Sequence, residues 1–401
     1  MTQKVSKIKS ATVGRAFNFA NKSYNAFMKT PRFEYSRAVI QERINLFQEL
    51  KSPYGLKVRY AVKANPYPEI IRMMDISGIH FDASSSYEAE ELLNLGVSGE
   101  KISLSSQQTA HDLDELLKSG VLFVATSLKQ LDTFLVSEFR PHTVAVRINP
   151  EVGYGHNKRT STGGVNSSFG IWHEYIGEVL KKTNDAGVKI NRVHIHFGSG
   201  ADPSVWGDVM EKSLLIMEKF PEATILDIGG GYKVHRFADE KEANMEEIMA
   251  MFSVKLEEFF ARTGRKISLE IEPGTYFVAH AGTLVATIDD IVDTGKDGYT
   301  FLRLNTGMND FLRSSLYGAR HKIEVITDSE IQKDYIVVGH NCESGDILTP
   351  MAGNPEEIET RKLREARIGD EVKIYDTGAY CASMRAKGYN SFPSAEEVMV
   401  D

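Results

Sequence analysis

Four short stretches of the 401-residue sequence set reactive side chains beside glycine or proline at the ends of apolar runs. In Tyr60-Ala61-Val62-Lys63-Ala64-Asn65-Pro66 a lysine interrupts a strand-like run. An amine buried there is costly unless it is neutralised or bonded. Desolvation that depresses its pKa would make it a Schiff-base nucleophile. A stem that snorkels to water at the strand end is the plain alternative. In His194-Ile195-His196-Phe197-Gly198-Ser199-Gly200 the two-residue period puts both histidines on one side. They read as metal ligands without a convincing third and fourth partner, or as core histidines. Ser199 and Gly200 add a small hydroxyl and a close-approaching backbone suited to an anion.

Asp227-Ile228-Gly229-Gly230-Gly231-Tyr232 carries three consecutive glycines, which weaken packing unless the backbone must approach something closely. A phosphate cradle and a tight turn both fit, and the spacing is not that of a dinucleotide fingerprint. In Leu269-Glu270-Ile271-Glu272-Pro273-Gly274 two acids share one face. A buried acid needs a cationic partner: a pyridinium nitrogen, or a barrel lysine or arginine in a structural ion pair.

The elements that must hold these residues follow from periodicity. Eight strand-like runs occur at residues 57–64, 79–85, 101–106, 122–127, 143–150, 189–200, 224–232 and 266–274. Several are continuously apolar, as in parallel strands buried on both faces. Segments 86–95, 110–118, 172–183 and 246–261 repeat apolar residues at helical spacing. Eight alternations over roughly 220 residues predict a (β/α)8 TIM-like barrel of α/β class, with a doubly wound sheet as the competing architecture. The four stretches then end strands one, six, seven and eight, at the barrel face where active sites form.

After about residue 279 the rhythm changes to strand-like runs at 283–293, 299–305, 321–327, 335–338 and 371–376, which predicts a mostly antiparallel β domain. Residues 353–367 are polar and read as a loop or surface helix. The domain expectation is an N-terminal segment 1–30 joining the β domain, a barrel over 31–278 and a β domain over 279–401.

Composition narrows the class. Hydrophobic residues make up 42% and charged residues 25%, which excludes a disordered or low-complexity chain. Forty-seven basic against 55 acidic residues give a net charge of −8, with no dense basic run for nucleic acid. Cys342 and Cys381 cannot build a disulfide framework. No apolar stretch approaches the ~20 residues of a membrane span, and residues 1–20 lack a signal-peptide core. The expectation is a cytoplasmic protein.

Together, in order and at successive strand ends, the four stretches supply what a pyridoxal phosphate site requires: a lysine, a ring-stacking histidine, phosphate-binding glycines and a pyridinium-pairing glutamate. The chain resembles the alanine-racemase-fold pyridoxal phosphate decarboxylases, most closely their diaminopimelate-decarboxylating branch. The likeness runs from about Val58 to Val400. In the second domain it includes Gly307-Met308-Asn309-Asp310, Leu316-Tyr317-Gly318, Cys342-Glu343-Ser344-Gly345-Asp346 and Thr377-Gly378-Ala379-Tyr380.

The resemblance implies that Lys63 condenses with pyridoxal 5'-phosphate and His196 stacks on its ring. Ser199, Gly229, Gly230, Gly231 and Tyr380 would hold the phosphate. Glu272, followed by Gly274, would face the pyridine nitrogen, with Asp82 and Arg147 nearby in the barrel. Cys342, from a partner subunit, would protonate the carbanion, and Glu343 would recognise the distal amine. Arg313 and Tyr317 would hold a distal carboxylate, with Tyr380 also against the substrate. A homodimer with shared active sites follows, with an amino-acid substrate and no metal, nucleic acid or membrane.

Two positions depart from the family pattern. Thr275 stands where an arginine usually follows Glu-Pro-Gly, and Ser168 stands where a lysine usually precedes Phe-Gly. Arg320 is a candidate to replace the first. The missing lysine would pair across the dimer with an acid near Asp346. The expected reaction is meso-diaminopimelate to L-lysine. Rival readings are a decarboxylase of ornithine, lysine or carboxynorspermidine, an amino-acid racemase, and a cofactor-binding homologue without catalysis.

Overall fold

The computed structural model describes residues 29–151 and 163–401. Eight strands close into a parallel barrel: β2 (Leu56–Ala61), β3 (His80–Ala83), β4 (Ile102–Ser105), β5 (Leu122–Ala125), β6 (Thr143–Asn149), β8 (Lys189–His194), β9 (Ile225–Asp227) and β10 (Ser268–Ile271). Each pairs with its neighbours, β10 with β2 closing the ring. A two-residue strand, β7 (Ile171–Trp172), adds to the outer end of β6. All eight runs expected from the sequence are barrel strands, because burial on both faces leaves a continuous apolar signature.

Helices between the strands bury one stripe each. Leu128–Val136, for example, buries Leu131 and Phe134, and its N-cap Ser127 hydroxyl accepts from the Gln130 amide. Met245–Thr263 ends on Gly264 at φ 71°, a left-handed cap that costs glycine little.

The second sheet contains β1 (Arg32–Ser36), β11 (Gly282–Asp293), β12 (Thr300–Leu304), β13 (Ile323–Ile326), β14 (Gln332–Val338), β17 (Arg361–Arg364), β18 (Glu371–Tyr375) and β19 (Glu396–Val400). Its pairs are antiparallel except β12 with β14 and β1 with β19. Strands β15 (Pro350–Met351) and β16 (Asn354–Ile358) form a separate ribbon.

Two expectations need correction. Residues 353–367 are neither loop nor helix: they supply β16 and β17, whose exposed, charged side chains hide the strand period. Residues 32–36, expected at the start of the barrel, form β1, which lies between β11 and β19 in the second sheet. The pairing of segment 1–30 falls almost wholly outside the described residues. No helix among the described residues is long and apolar enough to cross a membrane.

Candidate active site

The apolar strand β2 stops at Ala61, and a single 3-10 turn, Val62–Ala64, carries Lys63 into the barrel mouth. The Lys63 side chain keeps 47% of its surface open, while its Nζ lies 3.8 Å from buried Asp82 at the end of β3. A small molecule can therefore reach the amine. Burial is the largest influence on Lys63 and pushes its pKa down. Asp82, Tyr380 and Glu272 outweigh it, so the net direction is upward. The depressed amine expected from the sequence is not found, because the apolar strand delivers the lysine into an acidic ring.

His194 and His196 both lie among the inward-facing charges. Burial, then Arg147, hold both imidazoles well below their ordinary range, so both are neutral. His194 is fixed by the Ser105 hydroxyl at 3.2 Å, with its Nε2 3.4 Å from Glu272. His194, Asp227 and Glu272 approach one another as metal ligands would. A guanidinium already supplies the positive charge there: Arg192 pairs with Asp227, and lies 3.6 Å from Glu272.

The two acids of β10 have separate fates. Glu270 meets Arg59 and Arg192 at 2.9 Å each and Lys57 at 3.5 Å, which makes it the structural ion pair. Glu272 turns to the pocket, and its Oε1 is buried without a hydrogen bond among the described residues. Burial is the largest influence on Asp227 and pushes it up, but Arg192, the Glu272 carboxyl and the Gly229 amide together outweigh it, so the net direction is downward. Glu272 is raised well above the ordinary carboxyl range by burial, Asp227 and Asp82, all of which favour its neutral form. Arg147 lies over the Phe169 ring at 5.0 Å, its pKa lowered by burial against the pull of Glu272 and Asp82.

The glycine bend after β9 is sterically required. A Cβ at Gly229 would overlap the His196 ring, at Gly230 the Glu272 carbonyl, and at Gly231 the Gly198 carbonyl beside Ser199. Gly231 also sits at φ 104°. Gly274 faces Ala61 and Ala64, where a Cβ would lie 3.1 and 3.0 Å from theirs. The bend thus packs the chain after β8, β9 and β10 closely together and presents backbone rather than side chains.

The second domain closes one wall. The Tyr380 amide donates to the Ala64 carbonyl at 2.8 Å. Its phenol pKa is raised by burial and lowered by Lys63, whose charge lies near. Tyr380 holds φ 57°, a left-handed conformation uncommon for an aromatic residue. Arg313 and Tyr317 open and close one short helix, Arg313–Tyr317.

Cys342 and Glu343 are not brought to Lys63 within one chain. They lie exposed, with the Cys342 amide donating to Asn390 at 2.7 Å and Glu343 accepting from Tyr389 at 3.0 Å. Thr275 starts the helix Thr275–Val278. Arg320 is no replacement for the missing arginine, since it pairs with Asp239 at 2.8 Å and lies over Phe237. Ser168 is exposed. Asp346 is buried, accepting from the Met308 amide at 2.6 Å and Asn341 at 2.7 Å, so its carboxylate is used within its own chain. Sequence reasoning missed Arg59 and Arg192, although each is a charge inside an apolar strand, the same signal that marked Lys63.

Residues 37–279 match the family model described as pyridoxal-dependent decarboxylase, pyridoxal binding domain. The diaminopimelate decarboxylase of Streptomyces coelicolor is 32% identical over 384 residues, covering 93% of this chain and 84% of that one. The chain belongs to the pyridoxal-dependent decarboxylases, in the diaminopimelate decarboxylase family. A solved diaminopimelate decarboxylase superposes with a TM-score of 0.85 at 29% identity, covering 93% of this chain and 89% of its own. The Helicobacter pylori enzyme complexed with L-lysine gives 0.83 at 27% identity, covering 93% and 92%.

As a pyridoxal-dependent decarboxylase, the chain is a carboxy-lyase that uses pyridoxal 5'-phosphate. Its residues fit that cofactor. The amine of Lys63 is reachable, Glu272 Oε1 and Asp82 Oδ1 are buried without hydrogen bonds among the described residues, and the glycine bend has no room for a Cβ.

Proposed function

We propose that this decarboxylase converts meso-diaminopimelate to L-lysine, with Lys63 carrying the cofactor. The observation behind the reading is the shared pocket of Lys63, Asp82 and Glu272 in a chain whose curated relatives, over 93% of its length, are diaminopimelate decarboxylases. When bound, pyridoxal phosphate supplies an aldehyde for amines and a ring that accepts the electron pair left by departing carbon dioxide.

The chain's own residues do the rest. Asp82 keeps the Lys63 amine oriented at the mouth of β2. Gly229, Gly230 and Gly231 with Ser199 leave backbone and hydroxyl for the phosphate, and Tyr380 closes over it. The neutral His196 ring lies against the Gly229 backbone, where it offers a flat face to the cofactor. Glu272, whose neutral form the site favours, would share a proton with the ring nitrogen. Arg147 adds positive charge beside Asp82 and Glu272, and Gly274 lets the strand end pack against Ala61 and Ala64. Arg313 and Tyr317 face the distal part of the substrate.

The remaining roles need a second subunit. The Cys342–Glu343 loop is exposed in one chain, which suits a pocket completed in a homodimer: Cys342 would return the proton and Glu343 would bind the distal amine. Two free thiols suit a reducing, cytoplasmic setting.

Thr275 favours a second reading, a substrate without the distal carboxylate such as ornithine, lysine or carboxynorspermidine. The test is carbon dioxide release from a panel of these amino acids with saturating cofactor and mass identification of products. Release from diaminopimelate with lysine as product supports the proposal. Turnover confined to a substrate without the second carboxylate overturns it.

A further inference from the structure

Beyond the barrel centre, two guanidinium groups lie together without a counter-ion. Neither Arg236 nor Arg313 has a carboxylate within salt-bridge distance among the described residues. The Nε and Nη2 atoms of Arg236 are buried with no hydrogen-bond partner among the described residues. Those two atoms form the edge of a guanidinium that grips a carboxylate through two parallel hydrogen bonds. Burial, followed by the Arg313 charge, lowers the Arg236 pKa to about 10. A charged group in that position still lacks what arginine ordinarily has when buried, a paired anion.

The surroundings do not provide one. Asp376 is engaged by His280 at 2.6 Å. Glu240 accepts from the Arg236 backbone amide at 3.0 Å and lies 3.8 Å from Arg320. The Cys381 thiol is pushed up to about 12 by burial and stays neutral. His321 is held well below its ordinary range by burial, Arg236 and Arg313, so it too is neutral. Its Nδ1 donates to the Tyr375 carbonyl at 2.8 Å, leaving Nε2 to accept from Arg313 Nε at 3.4 Å. That bond uses the inner edge of Arg313 and leaves its terminal nitrogens for a ligand.

The pair sits at a defined place relative to the reactive amine. Tyr380 is influenced by both Lys63 and Arg313, and the next residue, Cys381, by both Arg313 and Arg236. The charge of Arg313 thus reaches Tyr380, which Lys63 also reaches, and both arginines lie near Cys381, the residue that follows Tyr380 in the chain. Resting on the decarboxylase reading above, we infer that Arg236 and Arg313 form a paired-guanidinium subsite for the second carboxylate of an amino dicarboxylate substrate. Arg236 is the specificity-determining residue. The cation missing at Thr275 is supplied instead from the loop after the glycine bend.

The test compares Arg236→Gln and Arg236→Lys with the parent holoenzyme. The ratio of kcat/KM for diaminopimelate to kcat/KM for L-lysine as substrate should fall about 10- to 100-fold in Arg236→Gln, the worth of a charge-assisted bond, with partial recovery in Arg236→Lys. Visible absorption of the bound cofactor should persist and reports that the variant folds. An unchanged ratio overturns the inference. A second readout is independent of turnover: binding of pimelate, a dicarboxylate without amines, followed by calorimetry. Pimelate should bind the parent and bind Arg236→Gln at least about tenfold more weakly. If the parent fails to decarboxylate diaminopimelate yet shows this pimelate difference, the proposed reaction fails and the subsite stands. Equal pimelate binding by parent and variant removes the subsite.

Discussion

The backbone amide of Tyr380 donates to the carbonyl of Ala64, the residue that follows Lys63, at 2.8 Å. Asn65 adds a second stitch, its side-chain amide donating to the Gly378 carbonyl at 2.9 Å. The β domain is thus fastened to the chain segment that presents the amine. Pocket geometry and domain packing are one structural problem in this protein.

Lys63→Ala should lose turnover and the visible absorption of the enzyme-bound cofactor together. Absorption spectra and carbon dioxide release from the same preparation check this. Full activity in the variant would remove Lys63 from the mechanism.

Glu270 and Glu272 should separate in mutagenesis. Glu270→Gln leaves Arg59 and Arg192 without their shared anion and should cost about 3–5 kcal/mol of stability in denaturant unfolding. Glu272→Gln replaces a carboxyl whose neutral form the site favours, so its stability change should be under about 1 kcal/mol. Its kcat should nonetheless fall more than about tenfold, because the amide cannot pass a proton to the ring nitrogen. The reverse ranking would contradict the assignment.

Gly230→Ala should weaken cofactor binding. The new methyl overlaps the Glu272 carbonyl, a backbone atom that cannot rotate away. Displacing the end of β10 should cost about 1–3 kcal/mol, read as a higher cofactor dissociation constant by fluorescence titration. Wild-type affinity in the variant would show that the strand ends yield freely.

His280 should give the stability a basic limb. Hydrogen bonds to Asp376 and then Glu242 raise its pKa from 6.5 to about 9. The folded value exceeds the unfolded one, so the stabilisation is complete below about pH 6.5. It is lost as pH rises through 9. The shift corresponds to on the order of 3 kcal/mol. Unfolding free energies of the parent and His280→Gln should differ most at pH 6 and converge near pH 10. A pH-independent gap would sink the linkage.

The barrel was legible because its strands are sealed on both faces, so Leu122–Ala125 reads as an unbroken apolar run and Val144–Val146 as the apolar centre of its neighbour. The same rule fails for Asn354–Ile358 and Arg361–Arg364, which present charges to water on a sheet margin. Lys63, His196 and Glu272 were legible because strand ends carry chemistry in such barrels. Arg236 was not: it lies in an irregular loop, and only the three-dimensional neighbourhood shows a guanidinium edge left unbonded. The upward direction of the Lys63 pKa was also hidden, since Asp82, Tyr380 and Glu272 come from three other segments.

Strand β1 lies between β11 and β19, with the whole barrel intervening in the sequence. On the ribosome, Arg32–Ser36 emerges early and finds no neighbour until the nascent chain has delivered Gly282–Asp293 and then Glu396–Val400. All eight barrel strands are synthesised during that interval, whereas the outer sheet waits for its last strand. A premature stop before Glu396 would release a polypeptide whose β1 has one naked, adhesive edge, a substrate for quality control rather than a working enzyme.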